Sequence, residues 1–134
     1  MVNILIVEDD PVRADWFSDI FEPMGFDVRL AVDAAQALDQ LRETTFDILF
    51  LDHDLGMGLN GSQLLFKVLC GPKTFRRPKH VWIHSENPVG VKNIAAKAQS
   101  AGLSCQADSF GACRINEQAF VLAVRTILHE QEQK

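Results

Sequence analysis

Residue patterning points to an α/β fold, a doubly wound parallel sheet of five strands with helices on both faces. Three observations carry this. Strand-like and helix-like segments alternate five times along the chain, the order that builds parallel crossover units. The two most apolar segments, 3–7 and 48–51, run without polar interruption after their first residues, as suits strands buried on both faces. Both end in acids, Glu8-Asp9-Asp10 and Asp52-His53-Asp54. In parallel sheets the working site lies at the carboxyl ends of the strands.

Residues 2–7 read as strand one. Asp10 caps the first helix and Pro11 suits its first turn. Val12, Trp16, Phe17, Ile20, Phe21 and Met24 recur at helical spacing, and Gly25 closes the helix. Trp16 and Phe17 are adjacent, so one faces the core and the other is partly exposed. Phe26 to Leu30 alternates as strand two. Asp33 caps a helix carrying Ala34, Ala35, Leu38 and Leu41. Residues 46–52 form strand three. A glycine-rich loop over 56–61 leads to a short helix over 62–70, with Leu64, Leu65, Val68 and Leu69 inward.

Residues 71–79 form a basic loop with Lys73, Arg76, Arg77 and Lys79. The plain reading is a solvated loop; the sharper one is a docking surface for an acidic partner or an anionic substrate. Val81 to Ile83 is strand four. Asn87 and Pro88 start a fourth helix, with Val91, Ile94, Ala95 and Ala98 inward, closed by Gly102. Residues 103–107 are a weak fifth strand. Asn116 caps a last helix with Phe120, Val121, Val124, Ile127 and Leu128 on its apolar face. That makes five strands and five helices. His80 and His129 are expected in solvent.

The 134 residues read as one domain over 1–134, and 47% hydrophobic with 23% charged residues suits a globular chain. The apolar runs are too short to span a bilayer. No charged leader with an apolar stretch opens the chain, so the expected setting is cytoplasmic. Three cysteines without metal-site spacing read as reduced thiols. A net charge of −5 argues against nucleic acid as a partner.

If strands one and three are parallel neighbours, Glu8, Asp9, Asp10, Asp52 and Asp54 meet at one edge of the sheet. Like charges that close need a counter-charge. His53, His84 and Ser85 also fall at strand ends.

These residues resemble the receiver domain of two-component response regulators over nearly the whole chain. The resemblance implies a flavodoxin-like sheet in the order 2-1-3-4-5 and a divalent metal, Mg²⁺ or Mn²⁺, bound by Glu8 and Asp9 of the acidic turn. It assigns Asp52 to the phosphoacceptor, also a metal ligand, and the main-chain carbonyl of Asp54 to a further metal ligand. Ser85 matches the hydroxyl that contacts the phosphoryl group. It implies a sensor histidine kinase or a small phosphodonor upstream, a downstream protein partner, and a monomer or weak homodimer. The side chain of Asp54 has a second reading, in which it only orders its loop.

The departures are as informative. The family's lysine at the end of strand five is absent, and Ala107-Asp108-Ser109-Phe110 stands there. An extra carboxylate would repel a phosphoryl group. Cys105 falls near the place of the aromatic switch residue, Gly56 where a proline usually stands, and Gly61 comes one residue late. In their place stand His53-Asp54-Leu55-Gly56 and His84-Ser85-Glu86-Asn87-Pro88. This pairing resembles a divergent receiver branch that processes cyclic phosphates, with His53, His84, Ser85 and Asn87 as active-site parts. Hydrolysis of a cyclic phosphodiester needs an activated water and a protonated leaving oxygen, and imidazoles suit both tasks.

Three functional readings follow. The first is a receiver-like signalling protein with a metal site and a phosphoryl-accepting Asp52. The second is a metal-dependent enzyme that processes cyclic phosphates in the same pocket. The third is a pseudo-receiver acting only by protein binding. Each histidine also has a structural reading, packed beneath a helix, and Asn87 has one as a helix cap.

Overall fold

The computed structural model describes residues 1–133. Its strands are β1 (Asn3–Val7), β2 (Asp27–Ala31), β3 (Ile48–Leu51), β4 (His80–Ile83) and β5 (Ser104–Ala107). Its helices are α1 (Pro11–Phe21), α2 (Ala34–Glu43), α3 (Gly61–Cys70), α4 (Pro88–Ser100), α5 (Phe110–Ile115) and α6 (Glu117–Glu132), with a 3-10 turn over Glu22–Met24. All five strands are parallel, in the order β2-β1-β3-β4-β5. No helix among the described residues is long and apolar enough to cross a membrane.

The sheet separates two cores. On one face Leu5, Leu49, Val81 and Ile83 pack with Leu38, Leu41, Leu64, Leu65 and Ile94 from α2, α3 and α4. On the other, Ile6, Phe50 and Trp82 pack with Phe17, Phe21, Phe110, Phe120 and Val124 from α1, α5 and α6. Full burial of each such side chain contributes roughly 1.5–3 kcal/mol. Phe17 is fully buried while Trp16 is half-buried. The aromatic rings of this second core meet in stacked, tilted and edge-to-face pairs, the last as Trp82 and Phe120 do at 5.0 Å.

Local chemistry sets the helix starts. Asp10 accepts from the main-chain N–H of Val12 and Arg13. Asp33 does the same for Gln36. Asn60 and Gln63 form a reciprocal capping box on α3.

The structure departs from the sequence reading in the helix count, in the buried faces of α1 and α2, and at His80. There are six helices rather than five, because Ser109 caps one short turn-and-a-half over Phe110–Ile115 before Asn116 starts α6. Val12 and Ala35 are exposed, and Ala14 and Ala37 take the buried positions. His80 is not in solvent: it is 2% exposed and lies at the start of β4. In the basic loop one charge is paired and two side chains are held by main-chain carbonyls. Lys79 pairs with Asp47 at 3.1 Å, Arg76 donates to the Arg42 carbonyl, and Arg77 donates to the Leu69 carbonyl.

The register positions the site. Val7 lies beside Leu51, and Leu51 beside Ile83. The next residues, Glu8, Asp52 and His84, therefore form one row across three neighbouring strand ends. The main-chain N–H of Asp52 still donates to the Val7 carbonyl, and that of His84 to the Leu51 carbonyl.

Candidate metal and phosphate site

In a parallel sheet, residues in one row point to one face. Glu8, Asp52 and His84 obey this. Each offers a ligand atom, and the three atoms lie within 4.8 Å of one another. All three side chains are buried. His84 Nε2 donates to Glu8 Oε1 at 3.2 Å, and the ring rests 5.0 Å from that of Phe17. Its Nδ1 has no hydrogen-bond partner among the described residues. Asp52 Oδ1 accepts from the His53 N–H at 2.8 Å.

The electrostatics follow from burial and proximity. Burial pushes the Glu8 carboxyl up, but the hydrogen bond and charge of His84 outweigh it, and the net direction is down. Asp52 is raised, first by burial and then by the charge of Glu8, with His84 and the Ser85 hydroxyl opposing. Asp9 is raised by burial and by Glu8, with Asp52 adding to it.

Beside this row is an open hollow of about 550 Å³ lined by Asp9, Asp10, Pro11, Arg13, Asp52, Asp54 and Glu86. Arg13 is the one basic side chain in that lining, and its guanidinium rests 5.3 Å over the Phe110 ring. Gly56 brings the following loop against this hollow: a Cβ there would lie 3.2 Å from Asp9 Oδ2.

The remaining sequence candidates lie around this centre. Ser85 is buried, and its Oγ accepts from the Asn87 N–H at 3.0 Å. The Asn87 side chain caps α4, accepting from Val89 and Gly90 at 3.1 Å. His53 points away from the row. Its ring packs on Gly90, where a Cβ would lie 2.3 Å from His53 Cγ, and its Nδ1 lies 3.2 Å from Asp54 Oδ1. Asp108 does not face the acidic hollow. It lines a separate hollow of about 220 Å³ with Trp82, Cys113 and Asn116.

Two lining residues were missed in the sequence. Arg13 follows Pro11 by two positions on α1, so helical geometry alone placed it at the strand ends. Glu86 follows Ser85 directly, and its Oε1 accepts from the Gly111 N–H at 3.2 Å.

The donor set fits a divalent cation. The carboxylate oxygens of Glu8 and Asp52, which lie together, suit a hard ion such as Mg²⁺, while Asp9 and Asp54 line the adjoining hollow. The imidazole of His84 beside them extends the fit to Mn²⁺ and other first-row ions.

Five parallel strands in this order, with acids at the ends of the first and third, define a receiver domain. The signal receiver domain of an HD domain-containing protein from Pseudomonas fluorescens Pf-5 has a similar fold, with a TM-score of 0.75 at 21% identity over 99% of this chain and 98% of that one. So does a CheY-like response regulator receiver domain protein from Methanospirillum hungatei JF-1, with a TM-score of 0.69 at 21% identity over 99% and 98%. At these identities the likeness speaks to fold. The DNA-binding response regulator MtrA of Mycolicibacterium smegmatis is 40% identical over 59 residues, 44% of this chain and 25% of that protein. The chain thus spans a quarter of that relative's length. The model of the cyclic-phosphate processing receiver domain matches residues 4–100, and the chain belongs to that family.

Proposed function

We propose that residues 1–134 act as one receiver-like domain that hydrolyses a cyclic phosphate ester in the acidic hollow, with a divalent cation. One observation carries this reading: His84 is buried in the same row as Glu8 and Asp52, its Nε2 3.2 Å from the Glu8 carboxylate. A receiver that only accepts a phosphoryl group has no use for an imidazole there.

Glu8, Asp9 and Asp52 would hold the cation, and the Asp54 main-chain carbonyl would complete the set. When bound, Mg²⁺ or Mn²⁺ neutralises the phosphate and lowers the pKa of a coordinated water. His84, fully buried behind the hollow, acts through Glu8: its Nε2 holds the Glu8 carboxylate in place and offsets the negative charge of the acidic row. Water adds to phosphorus, one ring P–O bond breaks, and the leaving oxygen takes up a proton, so the product is a phosphate monoester. Arg13 supplies the positive charge that the strand-five lysine supplies elsewhere, and the Ser85 hydroxyl contacts a phosphoryl oxygen. His53 acts through Asp54 and helix α4, and Asn87 by starting α4 after Ser85.

A panel of 2′,3′- and 3′,5′-cyclic nucleotides with Mg²⁺ and Mn²⁺ tests this. Turnover is expected in the wild type and lost in Asp52→Asn and His84→Gln, while Arg13→Gln raises KM more than it lowers kcat. No turnover of any member with either metal would refute the hydrolase reading.

A second reading rests on Asp52 at the end of β3, with the Ser85 hydroxyl near enough to oppose the rise in its pKa. Here Asp52 accepts a phosphoryl group from a sensor histidine kinase or a small phosphodonor and passes the signal to a protein partner. Incubation with acetyl phosphate and Mg²⁺ separates the two. A stable gain of one phosphoryl mass, absent in Asp52→Asn, favours this reading over hydrolysis.

A further inference from the structure

Helices α3 and α4 enclose a groove on the face of the protein away from α1. Phe66 stands 54% exposed in its middle, on a helix whose other large apolar residues are buried or nearly so. A hollow of about 490 Å³ lies on one side of it, lined in part by Leu69, Arg77, Lys97 and Ala101. Another of about 510 Å³ lies on the other side, lined in part by Leu59, Lys67 and Lys97. Both are predominantly apolar.

The charge of this groove opposes that of the chain. The net charge is −5, yet the lining of the two hollows contains Lys67, Arg77 and Lys97 and no acid. None of these three has a carboxylate within ion-pair distance among the described residues. Lys97 Nζ donates instead to Ser62 Oγ at 2.8 Å, and Arg77 Nη2 to the Leu69 carbonyl at 2.9 Å. Those neutral acceptors hold the side chains over the groove and leave their charge uncompensated.

We propose that the α3–α4 groove docks an acidic peptide segment of a partner protein, with an apolar side chain seated against Phe66. An aromatic wall between two apolar hollows under a basic rim is the form of a helix-in-groove site. A lone phosphate would use the rim and leave the apolar walls wet. A second copy of this acidic chain is less well matched than a segment with acids flanking one apolar anchor. The inference stands whichever chemistry the acidic hollow performs.

The test is selection of a displayed random-peptide library on the immobilised full chain. Selected peptides are then synthesised, and their affinity is measured by fluorescence anisotropy. Peptides with acids around a Leu, Phe or Trp are expected, weakening about tenfold between low salt and about 0.5 M salt. Phe66→Ala and the Lys67→Glu, Lys97→Glu pair should each cost about tenfold or more in Kd. A peptide with its acids changed to lysine should regain affinity for the double variant alone. Phe66 and Lys67 are exposed, while Lys97 is half-buried with its Nζ on Ser62 Oγ, so an unchanged far-UV spectrum and melting curve of each variant is required before its affinity is compared.

No enriched peptide, enrichment without acids, or unchanged affinity in both variants would overturn the proposal. Self-association of the free chain that Phe66→Ala abolishes would also overturn it, by assigning the groove to a second copy.

Discussion

Replacing His80 by Gln should remove a large pH dependence of stability. His80 is 2% exposed; its Nδ1 pairs with Ser104 Oγ at 2.8 Å, and its Nε2 has no partner among the described residues. Burial disfavours the charged ring and lowers its pKa from 6.5 to about 4. Below pH 6.5 the unfolded chain therefore binds the proton more readily than the folded one, and stability falls as pH falls. Linkage with those two values gives a loss of about 2 kcal/mol at pH 5 and about 3 kcal/mol at pH 4, relative to pH 8. Carboxylates titrate in the same window, so the quantity to read is the difference between wild type and His80→Gln. Urea unfolding at pH 8, 6 and 5, followed by circular dichroism, supplies it. The wild type should lose about 2 kcal/mol more than the variant between pH 8 and pH 5. Parallel curves would show that His80 takes up its proton in the folded state, and would refute a neutral buried imidazole.

Two further outcomes follow from the packing. Gly90→Ala puts a methyl group against the His53 ring and should cost about 1–3 kcal/mol in thermal unfolding. In a His53→Ala background most of that cost should vanish, and additive costs would contradict the contact. Asn60→Ala removes the reciprocal cap of α3 and should cost about 0.5–2 kcal/mol by urea unfolding, with Asn60→Asp close to wild type.

The sheet was legible because β1 and β3 are short apolar runs that stop at acids, a pattern that suits strands covered on both faces. The caps at Asp10, Asp33, Asn87 and Asn116 were legible because short polar side chains have few other uses before an apolar periodicity. Helix α5 was not, since six residues hold too little periodicity to stand out from a loop. His80 escaped because its type is common on surfaces and its burial comes from β5 and the strand's own position.

At the site, the sequence grouped the right strand ends, but register sorted them. Counting from β3 and β4 aligns His84, not Ser85, with Asp52, and that places one imidazole among the carboxylates and turns His53 toward α4. Asp108 was expected to oppose a phosphoryl group, yet it faces the α5–α6 side. Arg13 was invisible to motif reading because its role depends on where α1 starts, one turn above the acids.

On the proposed function, His84 is the residue that makes this receiver pocket hydrolytic. Phosphorus NMR of a 2′,3′-cyclic nucleotide with Mg²⁺ and the purified chain tests it most directly. A growing monoester resonance is expected with wild type and none with His84→Gln, with the variant's fold checked by its circular dichroism spectrum and its Mg²⁺ binding measured beside it. Equal monoester formation by the two, or none by either while Asp52 takes up phosphoryl groups from acetyl phosphate, would contradict it.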